Sequence, residues 1–561
     1  MLHHLRTSTT RRRWSAWLLL SMLLAACSTA PGAPGTQTQP SPAASPPAQA
    51  AASPSPADTQ ASASPAPAGE TTTPAGSGQL RRLETPVTLE IFTPVQSVEL
   101  PPPGDDWLIA KIVKEQLNID LKMSWQTDLS EYERLVMTRG AANDLPDLFL
   151  SSNNLARDLG AQGLLGDWQP LLPLMPTYVR DREVESLAPI GTFDGKLYAL
   201  VTRTSSPFKQ AVIIREDWMQ KLGLQVPKTL DEYMEVMRAF TTRDPDGNGQ
   251  PDTWGFTSSV DSIGQFQNLD PFFGAFGALG DWRIDNNRLV YVPTSPERKA
   301  ALEFLNRMHQ EGVIDPDWAS QKGSDRGNKY RSGRIGLFQE DWCAAFCRGN
   351  YDPFAEANPT GRWLDIAPPI GPDGKSAIST YSRVGMRFSM SQRAIDQGKG
   401  EAIALFMEWL NTDGYYLTAF GEEGKHWRRE GNKIVAEQTD EARILRALAG
   451  WAYKGSEEEL RARYDQTTTH KNGQVVDVWA IMTRAQEFPK VDVTDFAALP
   501  PAPPGQAADI QRLKAEGELQ FATGQRPFAE WDAYVAALEA AGVAEWRAQA
   551  EQRAREIGLL K

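Results

Sequence analysis

The sequence predicts an α/β protein built from parallel βαβ units, and three observations predict it. Val87 to Phe92 is β-rich and alternating, Ile109, Ile112, Val113 and Leu117 then recur at helical spacing, and Ile119 to Trp125 again reads as a strand. A helix over Leu129 to Arg139 and a strand over Asp147 to Leu150 repeat the order. Strand, helix and strand at this spacing need a crossover connection, which is how parallel strands are joined.

Later elements carry start signals. Thr229-Leu230-Asp231-Glu232 fits a capping box, and Tyr233, Met237 and Phe240 follow at helical spacing. Ser295-Pro296 supplies an N-cap and a proline at the first helical position ahead of Ala301, Phe304, Leu305 and Met308. Ala402, Leu405, Phe406 and Trp409 form another stripe, read as core. From Ala507 the pattern is helical except for a turn near Gly524 to Pro527.

The N-terminus reads as an address. Arg6, Arg11, Arg12 and Arg13 precede an apolar run from Trp14 to Ala26 that ends Leu24-Ala25-Ala26-Cys27. The run is shorter than the roughly 20 residues of a bilayer span, so residues 1–26 are read as a signal peptide. Its end resembles a bacterial lipobox, which implies a diacylglyceryl group on Cys27; an ordinary secretory signal is the alternative, and Sec or Tat export is left open. Residues 27–85 are mostly Ala, Pro, Ser, Thr and Gly, with Asp58 and Glu70 the only charges before Arg81. Such a stretch cannot bury enough surface to offset its chain entropy, so it is read as a disordered tether.

Composition excludes several classes. The chain has 561 residues, 58 Lys and Arg against 71 Asp and Glu, and a formal charge of −13. Loss of residues 1–26 removes four arginines and takes it to about −17. Net acidity argues against nucleic-acid binding. Three Cys exclude a disulfide scaffold, and five scattered His leave few ligands for a Cys/His metal centre. Seventeen Trp is a high count. No Gly-x-Ser-x-Gly elbow, P-loop or His-Glu-x-x-His helix is present, although sequence alone does not exclude a carboxylate pair.

A family resemblance emerges from motifs in order. Phe193-Asp194-Gly195-Lys196-Leu197-Tyr198-Ala199-Leu200 resembles the "DGKLYGLP" crossing of extracellular solute-binding lipoproteins of carbohydrate ABC importers, and the segment from Ile213 to Pro227 resembles their "IRKDWLDKLGLKVP". Thr294-Ser295-Pro296-Glu297, Glu311-Gly312-Val313-Ile314-Asp315-Pro316, Gly371-Pro372-Asp373-Gly374-Lys375 and the segment from Gly421 to Trp427 follow in the same order. The match covers about residues 86–430 and is most similar to the large LplA/LipO-like branch, family 1 solute-binding proteins.

The resemblance implies a two-lobed periplasmic-binding-protein type II fold with a ligand cleft and a helical C-terminal extension. One lobe is expected to hold 86–202 plus 363–425, and the other 203–362 plus 426–561. It also implies a monomeric, membrane-anchored extracytoplasmic receptor that delivers a carbohydrate, here an oligosaccharide, to permease subunits. A secreted carbohydrate-active enzyme and a sensory or adhesion lipoprotein are the alternatives.

A sugar offers hydroxyls to polar side chains and ring faces to aromatic ones. Ligand groups in α/β lobes lie at the carboxyl ends of strands. Ser151, Ser152 and Asn153 follow the strand ending at Leu150. Glu340, Asp341 and Trp342 follow the strand from Arg334 to Phe338; Trp342→Ala is expected to weaken binding without unfolding. Trp282 is read as either a stacking platform or core. Tyr381 and Arg383 lie in the returning crossover, Arg383 as a ligand contact or as a partner to a carboxylate across the hinge. Trp168 is read as structural, and His426 as packed or hydrogen-bonded.

Two further features involve metal and redox chemistry. Asp244, Asp246, Asn248, Gln250 and Asp252 place oxygen donors as in an EF-hand-type loop, with Gly249 at the sixth position. The twelfth position is Gly255 rather than Glu, so a structural calcium and an Asx-rich turn both fit. Cys343 and Cys347 are read as a local disulfide in a turn, with two free thiols as the alternative.

Overall fold

The computed structural model describes residues 80–561, leaving out 95–100, 105, 127–128, 205–209, 262–263, 342–344, 347, 380–382, 438 and 466. Two sheets organise these residues. In the first, the strand order is Ile119–Gln126, Val87–Pro94, Leu148–Leu150, Val384–Met390 and Leu200–Arg203. The first three run parallel, as the βαβ pattern predicts. Val384–Met390 runs antiparallel to both its neighbours. It enters the sheet from the opposite direction because the chain has come back from the second sheet.

The second sheet has the order Trp363–Ile366, Ala211–Arg215, Ile335–Glu340 and Trp254–Phe256. All five residues of Ala211–Arg215 are buried, as expected for a strand covered on both faces. Each sheet has apolar clusters on its two faces, so these residues form two α/β lobes, one around each sheet.

The segment boundaries differ from the expected ones. Trp363–Ile366 pairs with Ala211–Arg215, so it belongs to the second sheet, and the chain rejoins the first only at Val384. Residues Trp427, Ile434, Leu448 and Trp451 are buried in the first lobe's core, where Trp451 meets Phe388 edge-on at 4.6 Å. The region after 425 therefore stays with the first lobe until Val476, Val478 and Met482 enter the second. These assignments rest on pairings between distant segments, which local sequence patterns do not encode.

Local signals were decoded as expected. Thr229 and Glu232 form a reciprocal capping box at Leu230–Thr242. Ser295 accepts from Arg298 N to cap Pro296–Gln310. Gly524 (φ 78°) ends Ala507–Thr523 in the left-handed conformation that glycine adopts without strain.

The helix Gly400–Asn411 is buried almost all round and carries one buried acid, Glu408, at 1% exposure. Its carboxylate accepts from Thr177 N at 3.1 Å and Tyr178 N at 2.9 Å, at the start of Pro176–Asp181. It thus satisfies amides that open a helix, where negative charge is favoured. Glu408→Leu is expected to strand both amides and cost about 2–3 kcal/mol, read as a lowered urea midpoint. Glu408→Gln, which keeps an acceptor, is expected to cost less; equal losses would refute this role.

Candidate functional site

The crossover end of the first sheet gathers several predicted residues, but most of their polar atoms are already engaged. Ser151 is 9% exposed, and its Oγ meets Ser389 Oγ at 2.7 Å. Ser152 caps Asn153–Ala161 by accepting from Leu155 N. Asn153 Nδ2 donates to Ala497 O at 3.0 Å, while its Oδ1 is buried without a partner. Asn153 also lines a recess of about 400 Å³ whose apolar wall is Ile190, Phe193, Ala498 and Leu499. One arginine here escaped the sequence reading. Arg387 pairs across the ladder with Val201, and its carbonyl accepts from Ser151 N at 3.0 Å. Its only signal was a charge inside an otherwise apolar strand pattern.

The corresponding end of the second sheet is more tightly wired. Glu340 accepts from Arg326 Nη2 at 2.6 Å and from Tyr330 Oη at 3.2 Å. Burial, reinforced by the Glu340 charge, pushes the Tyr330 hydroxyl up to about 12, so it remains a donor at neutral pH. Asp341 N donates to Glu340 Oε1 at 3.1 Å. Gln339 is fully buried: its carbonyl accepts from Asn268 Nδ2 and its Oε1 from Asp270 N. These contacts fix the strand end as a rigid polar rim.

Trp282 is corrected to core. It is 6% exposed and packs at 5.0 Å against Trp546 and 5.2 Å against Tyr291, which leaves no face for a sugar ring. Arg383 takes the ion-pair reading. Its guanidinium lies 3.2 Å from Asp492 and 3.6 Å from Glu183, while its amide donates to Thr494 Oγ1 at 2.8 Å. It therefore ties the returning crossover to the first lobe and to the stretch from Lys490 to Thr494, whose strand Lys490–Val491 pairs with Ile378–Ser379. Trp342, Tyr381, Cys343, Cys347 and Cys27 lie outside the described residues. Trp168 is fully buried, and His426 is buried with its Nδ1 accepting from Glu422 N.

The acidic loop is exposed and ordered by its own amides. Asp244 (φ 45°) accepts from Gly247 N at 3.0 Å, Asn248 N at 3.1 Å and Gly249 N at 3.1 Å. Asn248 Nδ2 bridges Asp246 Oδ2 and Asp252 Oδ1, and Gln250 N donates to Asn248 Oδ1. Lys221 Nζ donates to Pro245 O at 2.8 Å. Burial and the hydrogen bond shared with Asp244 raise Asp246 above the ordinary carboxylate value. Burial opposes the opposite shift in Asp244, but bonds from Asp246 and three amides outweigh it and hold Asp244 low. The donors are the hard oxygens calcium takes, but among the described residues no three acidic, His or Cys side chains gather at metal-binding distances. Gly255 has no side chain to supply the missing twelfth ligand, and a Cβ there would lie 2.5 Å from Met237 Cβ.

Comparison with known proteins places this architecture. Residues 107–419 match the family of bacterial extracellular solute-binding proteins. Lipoprotein LipO of Bacillus subtilis is 24% identical over 370 residues, covering 65% of this chain and 72% of its own. The polygalacturonan/rhamnogalacturonan-binding protein YtcQ of the same organism is 25% identical over 398 residues, covering 65% and 74%. Among solved structures, the Streptococcus pneumoniae substrate-binding protein FusA in complex with kestose superposes with a TM-score of 0.61 at 18% identity, over 84% of this chain and 99% of that one. The alginate-binding protein AlgQ2 without calcium ion gives 0.59 at 18%, over 84% and 98%. With more than half of its length matched by the family and its fold shared across these structures, this chain belongs to the bacterial extracellular solute-binding proteins, whose role is capture rather than catalysis.

Proposed function

We propose that this chain captures an oligosaccharide between its two lobes outside the cytoplasm and presents it to the permease of an ABC transporter. The observation that carries this is the family match, joined to relatives whose names specify polymeric or oligomeric sugars: YtcQ for polygalacturonan and rhamnogalacturonan, FusA for fructooligosaccharides. Two polar strand ends, one on each sheet, suit a ligand held from both sides. Contacts to both lobes at once are what would favour a closed state. Trp342, Tyr381, Glu340 and Asp341 belong to this proposed contact set. The test is calorimetry against an oligosaccharide panel with chromatography of the ligand afterwards. Stoichiometric binding with the ligand recovered intact supports the reading; cleavage, or no binding across the panel, refutes it.

The anchor belongs to the same proposal: a lipid on Cys27 and a tether let a monomeric receptor stay at the membrane's outer face while docking. Intact-mass analysis of the membrane fraction reads the lipid adduct. The same spectra, with and without thiol alkylation, test the proposed Cys343–Cys347 disulfide. An unlipidated, soluble protein refutes the anchor.

A structural calcium held by Asp244, Asp246, Asn248, Gln250 and Asp252 is also proposed, with an incomplete ligand set and so modest affinity. A solved structure of FusA is described as an EF-hand mutant, which makes such a loop familiar on this fold. Calcium requires its three Asp ligands ionised, whereas Asp246 holds its proton more tightly than an ordinary Asp. Added calcium is therefore expected to raise the melting temperature at neutral pH, and the rise to vanish as pH falls through the raised Asp246 range. A melting temperature indifferent to calcium and chelator at pH 7 sinks the site.

A further inference from the structure

We infer that Arg387 is the recognition point for a carboxylate, and hence that the ligand is a uronate-containing oligosaccharide; this deepens the oligosaccharide reading and rests on it. The geometry begins with the strand Val384–Met390. Phe388 and Met390 point into one core of the first lobe. Ser389, on the opposite face, meets Ser151 and Tyr198 O. Strand alternation places Arg387 on that same face, two residues nearer the crossover end. Its ladder partners there are Val201 and Ser151, neither of them charged.

The guanidinium is half-buried, makes no ion pair among the described residues, and its Nε is buried with no acceptor. Burial also lowers its proton affinity, so the site holds the charge at a cost. Its neighbours do not relieve it. Arg203 and Arg383 share Glu183, and Arg383 also takes Asp492. Arg182 spends its donors on the carbonyls of Arg203 and Gly450. Among the described residues, four arginines thus meet two carboxylates at this end of the sheet, in a protein that is acidic as a whole. An uncompensated buried charge is expensive, and a buried donor without an acceptor adds to the cost. A sugar hydroxyl replaces only the hydrogen bond. A carboxylate replaces the bond and the countercharge, and its two oxygens match the guanidinium fork.

The test is calorimetry of the full folded region with galacturonate, glucuronate and mannuronate oligosaccharides, each against its carboxyl-reduced counterpart of equal length, for the wild type, Arg387→Met and Arg387→Lys. The wild type is expected to prefer one acidic ligand roughly 10- to 100-fold over its reduced partner. Arg387→Met should abolish that preference while leaving affinity for the neutral partner within a few-fold, and Arg387→Lys should restore part of it. Unchanged melting temperatures exclude unfolding as the cause. Equal affinity for acidic and neutral ligands, or a preference that survives Arg387→Met, overturns the uronate inference and leaves the oligosaccharide reading standing. Failure of every oligosaccharide to bind overturns both.

Discussion

Arg298→Met is expected to destabilise the second lobe by about 3–5 kcal/mol, the range for stranding one member of a buried ion pair. Arg298 lies in Pro296–Gln310 at 8% exposure and Glu518 in Ala507–Thr523 at 4%. The guanidinium grips both Glu518 oxygens, at 2.8 and 2.7 Å, donates its remaining Nη1 to Ala278 O, and lies 4.2 Å over the Phe273 ring. Removing the arginine leaves a carboxylate with no countercharge in a packed helix interface. The double variant Arg298→Met/Glu518→Leu is expected to recover most of the loss, because burying the pair was itself costly. The deficit of the single variant should shrink as pH falls, since protonating the stranded acid removes its charge and the folded state then binds the extra proton. Urea unfolding at two pH values reads both effects. A single variant as stable as the wild type, or a deficit that grows on acidification, would show that the pair does not hold these helices.

This pair also shows where the sequence stops being informative. Capping boxes, strand alternation and the left-handed Gly524 are local, and residues 229–232, 295–298 and 524 behave as their sequence predicts. Ser152 was legible as polar and positioned, but its hydroxyl is spent on a helix cap. Trp282 lost its exposed face to Trp546, on a helix near the end of the chain. Nothing near position 282 encodes that. Strand Trp363–Ile366 joined the second sheet because Ala211–Arg215 had an open edge for it, a fact of tertiary pairing. Arg387 was missed for the converse reason. A single charge in an apolar strand looks like noise until the structure shows that it has no ion-pair partner among the described residues.

The tryptophans sharpen the same point and lead to the other large effect. Trp168, Trp218, Trp318, Trp363, Trp409 and Trp451 are all essentially fully buried, so the high count is largely a core property. Trp363 is the centre of one such cluster. It stacks on Phe354 at 4.1 Å and meets Phe338, Tyr351 and Tyr330 edge-on at 5.1, 5.2 and 5.8 Å. Trp363→Ala is expected to cost about 3–5 kcal/mol through lost burial and the cavity left behind. Its indole N–H is buried without an acceptor, so Trp363→Phe forfeits no hydrogen bond and should cost less than half as much. Register separates this loss from binding. Trp363 pairs with Arg215, whereas Glu340 pairs with Ala211 at the other end of the same strand, about 13 Å away at 3.3 Å per residue. Trp363→Ala protein kept folded at low temperature should therefore bind an oligosaccharide as tightly as the wild type, while its urea midpoint falls. A variant that holds its midpoint but loses affinity would move the binding surface to the far end of the second sheet and away from the crossover rim.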